Sequence, residues 1–148
     1  MRLSPALQGA AALCVDTAPF IYFVEKHPDF YPICRPIFAA VTAGSLVMHT
    51  STVTLIETLL QPVRKAHQIL VDEYEELLLR TIDINTLPVS VVIARQAADL
   101  RARYNLRTPD AMQVATAINA GCDAFLTNDT GLRRVTEIRV IVLGELTL

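Results

Sequence analysis

Thr108-Pro109-Asp110-Ala111-Met112-Gln113-Val114-Ala115-Thr116-Ala117-Ile118-Asn119-Ala120-Gly121 is followed three residues later by Ala124-Phe125-Leu126-Thr127-Asn128-Asp129. This stretch decides the fold. Pro109 suits the first helical position, where its missing N–H costs nothing and its φ is already set. The predicted helix runs to Ala120 and stops at Gly121. It is apolar nearly all round, through Ala111, Met112, Val114, Ala115, Ala117 and Ile118, so it belongs at the centre of a core. Ala124-Phe125-Leu126 is a short apolar strand, and an acid, Asp129, follows its end through Thr127 and Asn128.

The same alternation extends outward. Residues 11–15 form an apolar strand candidate that runs directly into Asp16. Residues 19–26 and 30–43 read as helices, the second stopped by Gly44. Ser45 to His49 is a second strand candidate. Thr50-Ser51-Thr52 offers caps to a helix over Val53–Leu60, which Pro62 is expected to end. Residues 66–80 read as a helix with Ile69, Leu70, Tyr74, Leu77 and Leu78 on one side. Ile82 to Ile84 reads as a strand, and Pro88 opens a long helix striped by Val89, Val92, Ile93, Leu100 and Tyr104. Val140 to Val142 is the last strand. Short apolar strands alternating with helices indicate an α/β sandwich around a mostly parallel sheet. The 148 residues suit one domain, with no linker or repeat in view.

Half the residues are apolar (52%), above an average domain, which implies a sheet covered on both faces or a surface reserved for a partner. The aromatic run Phe20, Tyr22, Phe23 and the later Ile33, Ile37, Phe38 fit either a partner groove or the core. The net charge of −2 argues mildly against tight non-specific binding to a polyanion. Three scattered cysteines with no CxxC favour free thiols over a disulfide framework or zinc. His27, His49 and His67 lack ligand spacing. The apolar stretch from Pro5 to Val15 is broken by Gln8 and Gly9 and has no convincing cleavage site. No run approaches the ~20 residues that span a bilayer. A cytoplasmic protein, not bound to a membrane, is expected.

Parallel sheets bind ligands at the carboxyl ends of their strands. Asp16 and Asp129 stand there, Asp110 opens the most buried helix, and Glu57 lies in an otherwise strongly apolar one. Each has an ordinary alternative: a cap for Asp16, the helix dipole for Asp110, a turn for Asp129 and a solvated stripe with Thr50, Thr54 and Gln61 for Glu57. Together they predict a convergent cluster. Carboxylates ~5 Å apart repel by about 3 kcal/mol per pair at an effective dielectric near 20. Protonation or a bound divalent cation offsets that. Hard oxygen donors without Cys or His select Mg²⁺ or Mn²⁺, and such ions serve phosphoryl transfer. Arg101, Arg103 and Arg107 lead into Asp110, and Arg133 and Arg134 follow Asp129. They are candidates to hold a polyanion, or simply solvated charges.

From Val15 to Val142 the chain resembles the PIN-domain family, and within it the VapC-type toxins of toxin–antitoxin pairs. The resemblance rests on Val15-Asp16-Thr17, on Glu57, on Thr108 to Ala117, and on Phe125-Leu126-Thr127-Asn128-Asp129 followed by Leu132-Arg133-Arg134-Val135. It implies a PIN-like three-layer α/β/α sandwich over residues 1–148. It implies that Asp16, Glu57, Asp110 and Asp129 bind Mg²⁺ or Mn²⁺ and catalyse endoribonuclease cleavage. Thr17, Thr127 and Asn128 would stand behind these ligands. By their position beside the acids, Arg103, Arg107, Arg133 and Arg134 are candidates to contact the RNA. It further implies a homodimer held inactive by an antitoxin. A PIN-like module that binds RNA or protein without cutting is the alternative. A haloacid-dehalogenase-like phosphatase would need a second Asp where Ala18 stands. A receiver domain would need a late lysine, and the last is Lys65.

Overall fold

The computed structural model describes residues 2–148. Five strands, β1 (Ala12–Val15), β2 (Val47–Ser51), β3 (Ile84–Leu87), β4 (Ala124–Thr127) and β5 (Arg139–Val142), form one sheet in the order β3-β2-β1-β4-β5. Every pairing is parallel. Seven α-helices surround it among the described residues: α1 (Leu3–Leu7), α2 (Thr17–Val24), α3 (Tyr31–Thr42), α4 (Thr52–Arg64), α5 (Gln68–Glu75), α6 (Val91–Tyr104) and α7 (Thr108–Asn119). The expected α/β/α sandwich is present, and its sheet is wholly parallel.

The period-2 alternation of strands sorts β1 and β4 between two cores. Leu13, Val15, Ala124 and Leu126 point to one side and pack with Phe20, Ile37 and Phe38. Cys14 and Phe125 point to the other and pack with Leu100, Val114 and Ala115. Burial on both faces is why these strands read as continuous apolar runs. The aromatics weighed as a partner groove belong mainly to the first core. Phe20, Ile37 and Phe38 are buried, and Tyr22, Phe23 and Ile33 pack against them.

The connections run from β1 outward to β2 and β3, then return to place β4 on the other flank of β1. The order therefore reverses between β1 and β4, and a crevice opens outside their carboxyl ends. Asp16 and Asp129 emerge at that point.

Several expected boundaries move. β2 includes Thr50 and Ser51, read as caps alone, because their hydroxyls find buried partners; Ser51 also accepts from the Val53 N–H (3.1 Å) and caps α4. Pro62 lies inside α4, near its last turn. A proline there removes one hydrogen bond, and the ladder closes beyond it with Lys65 N–H on Gln61 O (3.0 Å). The third strand starts at Ile84 rather than Ile82, after a left-handed Asp83 (φ 66°), and as an edge strand it carries Asn85 and Thr86. The predicted 66–80 helix is α5 continued by a π-helical turn, Glu76–Arg80. Ile69 and Val92, placed on buried stripes by spacing, are exposed.

The N-terminal segment, unassigned by sequence, is held by the fold. Leu3 N–H bonds to Thr147 O (2.7 Å), Arg139 donates to Ala6 O, and Ala6 is fully buried. Met1 lies outside the described residues. Among them no helix is long and apolar enough to cross a membrane.

Candidate active site

The crevice at the switch point is a cavity of about 490 Å³ lined by Asp16, Glu57, Asp110 and Asp129, with Thr17, Tyr22, Arg107, Thr127 and Asn128. Four elements distant in sequence thus bring the four acids to one wall-to-wall site.

Each acid is set by its local backbone. Asp16 ends β1 in extended conformation and caps α2, its Oδ1 accepting from Thr17 N–H (2.9 Å). Its Oδ2 accepts from the buried Thr127 hydroxyl (2.9 Å). Burial raises the Asp16 carboxyl to about 6. The negative charges of Asp110 and Glu57 push the same way, and the two hydrogen bonds only partly oppose them. Asp110 lies buried in the first turn of α7, where the helix dipole favours an anion. Both its oxygens are taken by Arg107, at 3.0 and 3.3 Å. Asp129 follows β4 and caps a 3₁₀ turn through Gly131 N–H (2.8 Å). Glu57 stands on α4 three residues after Thr54, with Thr50 at the end of β2 behind them, and Thr17 donates to its Oε1 (2.8 Å). Of the stripe weighed for it, Thr50 and Thr54 are fully buried, whereas Glu57 and Gln61 are exposed, so the solvated reading holds for its outer half only.

Behind the acids lies a buried polar web that sequence reasoning did not assign. Gln113, one turn beyond Asp110, donates to Thr54 Oγ1 (2.6 Å) and Thr17 Oγ1 (3.4 Å) and accepts from Ser51 (2.8 Å). The Thr50 hydroxyl donates to Val15 O (2.8 Å) and is hydrogen-bonded to the Thr54 hydroxyl (2.8 Å). Through Thr17 the web ends on Glu57. The available signal was Gln113 itself, a polar side chain in a helix predicted to be buried, which demands hydrogen-bond partners. Asn128 ties the site together, donating to Tyr22 Oη (3.0 Å) and accepting from Gly144 N–H (2.9 Å). A Cβ on Gly144 would meet Asn128 Oδ1 at 2.9 Å, so a larger residue there would push the Asn128 side chain aside.

Of the arginines considered for RNA, Arg107 alone lines the cavity among the described residues. Arg103 pairs with Glu137, Arg133 with Glu145, and Arg134 donates to Tyr104 O and Gly131 O. The histidines stand outside it. His27 and His67 accept from backbone N–H groups, and burial keeps His49 from protonating readily.

The donor set is all oxygen and suits a hard divalent cation. Asp16 in particular is half-buried and bonded to neutral donors only. Within the arrangement described, no three His, Cys, Asp or Glu side chains are grouped closely enough to chelate one ion. Asp110 is held by Arg107 and Asp129 by its own turn.

A family model described as PIN domain matches residues 13–138. No curated protein matches the sequence. Among solved structures, VapBC2 from Rickettsia felis bound to a promoter DNA fragment aligns with a TM-score of 0.67 at 16% identity, covering 88% of this chain and 98% of that one. A toxin–antitoxin complex from Klebsiella pneumoniae aligns at 0.66 and 21%, covering 88% and 97%. VapC20 of Mycobacterium tuberculosis, a toxin that cleaves the sarcin–ricin loop, aligns at 0.67 and 17%, covering 86% and 98%.

Proposed function

The chain belongs to the PIN domain family, and from that premise we propose that it is a Mg²⁺- or Mn²⁺-dependent endoribonuclease, the toxin of a toxin–antitoxin pair. The observation that carries this reading is the convergence of Asp16, Glu57, Asp110 and Asp129 on one cavity at the sheet's switch point. The toxin role draws on two of the structural neighbours, described as a toxin–antitoxin complex and as a toxin.

Asp16 and Asp110 would be the principal metal ligands, with Asp129 and Glu57 completing the set directly or through water. The bound ion supplies a water of lowered pKa and stabilises the charge that develops on the leaving oxygen. The chain's own groups do the rest. Thr127 and Thr17 N–H fix the orientation of Asp16. Thr17 holds one oxygen of Glu57, leaving the other to accept a proton from attacking water at the cavity mouth. Arg107, the cation in the cavity, is placed to meet the phosphate.

A homodimer has a candidate surface. Ile56, Leu60 and Val63 follow a 4-then-3 spacing on α4 and are 68%, 44% and 62% exposed, an apolar stripe without cover in one chain. The antitoxin would close the acid cavity.

One observation favours a non-cutting module: the acids are not grouped as a ready chelate. Incubation of purified protein with a mixed RNA pool separates the two readings. Cleavage that requires Mg²⁺ or Mn²⁺ and stops with chelator supports the nuclease. RNA binding without cleavage, together with no uptake of Mn²⁺, supports the module.

A further inference from the structure

Arg107 immediately precedes α7 and reaches back over its first turn to Asp110. Its Nε meets Oδ2 at 3.0 Å and its Nη2 meets Oδ1 at 3.3 Å, so both carboxylate oxygens are engaged at once. The two partners differ sharply in exposure: the Arg107 side chain is 77% exposed and that of Asp110 only 11%. Asp129 and Glu57 add attraction at longer range, so the guanidinium faces three of the four acids. Other cations near the site are committed elsewhere. Arg101 holds Leu106 O and Thr108, and Arg133 and Arg134 hold Glu145 and backbone carbonyls.

A metal ion entering this cavity needs the oxygens that Arg107 covers. A guanidinium seated on both oxygens takes a lone pair of each and offsets the carboxylate charge, so it weakens the hold of Asp110 on an ion. The exposed, flexible arginine can leave at small cost, whereas the buried aspartate cannot follow it. We infer that Arg107 is an internal counter-ion that competes with the divalent cation for Asp110, setting how much metal the site requires. This inference rests on the metal-centre reading above. The same arrangement explains why the acids are stable side by side in the chain alone: one charge is already paired. It also makes Arg107 available to an incoming phosphate only once the ion has displaced it.

Mn²⁺ titration by calorimetry at fixed ionic strength tests this in the full chain, with no RNA present. The series is wild type, Arg107→Gln, Arg107→Lys and Arg95→Gln, the last removing an exposed charge on α6 away from the cavity. Competition predicts that Arg107→Gln binds Mn²⁺ roughly fivefold more tightly than wild type, about what loss of one exposed ion pair allows. Arg107→Lys, which keeps the charge but loses the two-pronged contact, should fall between them. Arg95→Gln should change affinity by less than about twofold, since its charge is screened by solvent. Equal or weaker binding by Arg107→Gln in a protein that does take up Mn²⁺ overturns the inference and leaves the metal centre standing. The same increase in Arg95→Gln would reduce the effect to net charge and overturn it as well. Absence of Mn²⁺ binding in every variant would overturn the metal-centre reading together with this one.

Discussion

Asp16 is caught between two requirements. A metal ligand must be ionised, but burial and the neighbouring acids Asp110 and Glu57 favour its protonated form. Its folded-state value of about 6 lies above the ordinary 3.8, so the folded chain binds this proton more tightly than the unfolded chain. Stability from that difference is fully present below about pH 4 and is lost as pH rises through 6. A shift of about two units corresponds to at most about 3 kcal/mol. Asp16→Asn cannot ionise, but its single acceptor oxygen serves only one of the two donors. In metal-free buffer with chelator, the variant should therefore be more stable than wild type by about 1–2 kcal/mol at pH 7.5. The gain should vanish by pH 4, and urea unfolding at the two pH values measures it. Gln113 makes the opposite prediction. Gln113→Ala removes the acceptor of the Ser51 hydroxyl proton and one donor to Thr54 in the interior, and should cost about 1–3 kcal/mol. If the web serves Glu57, kcat should fall while KM for RNA stays level.

The elements show what the sequence reveals and what it conceals. α7 was legible almost to the residue, because Pro109 marks its start, Gly121 its stop, and its apolar circumference allows only a buried position. β1 and β4 were legible because both of their faces are covered. β2 and β3 were displaced by two residues, since their hydroxyl and amide side chains resemble a cap and a loop until partners from other elements are supplied. Pro62 misled because a proline near the last turn of a helix removes only one bond. The four acids could be named from sequence, but the Gln113 web could not, since it joins β2, α2, α4 and α7 through tertiary contacts. Caps are a simpler case. Ser90 accepts from Ile93 N–H (3.2 Å) at the start of α6, away from the cavity. Ser90→Ala should lower stability by about 1 kcal/mol and leave metal binding unchanged. A change in Mn²⁺ affinity would show that α6 is coupled to the site.

On the scale of the whole molecule, an all-parallel sheet with its order reversed at β1 and β4 explains why residues from distant parts of the chain share one cavity. Nearby, the α4 stripe of Ile56, Leu60 and Val63 offers apolar surface next to Glu57. Leu60→Asp should convert a homodimer to monomers in sedimentation velocity and leave the monomer as stable as wild type, because Leu60 is not in either core. Loss of folding would assign that stripe to the monomer instead. The central claim, that the four carboxylates form a metal-dependent nuclease site, is tested most directly by RNA cleavage. Wild type, Asp16→Asn and Asp110→Asn are compared with Mn²⁺ or Mg²⁺ and with chelator, after thermal unfolding shows all three to be folded. The account predicts metal-dependent cutting by wild type and its loss by at least a hundredfold in both variants, roughly the scale of one removed catalytic group. Cutting that persists at wild-type rates in the folded Asp16→Asn protein would contradict it.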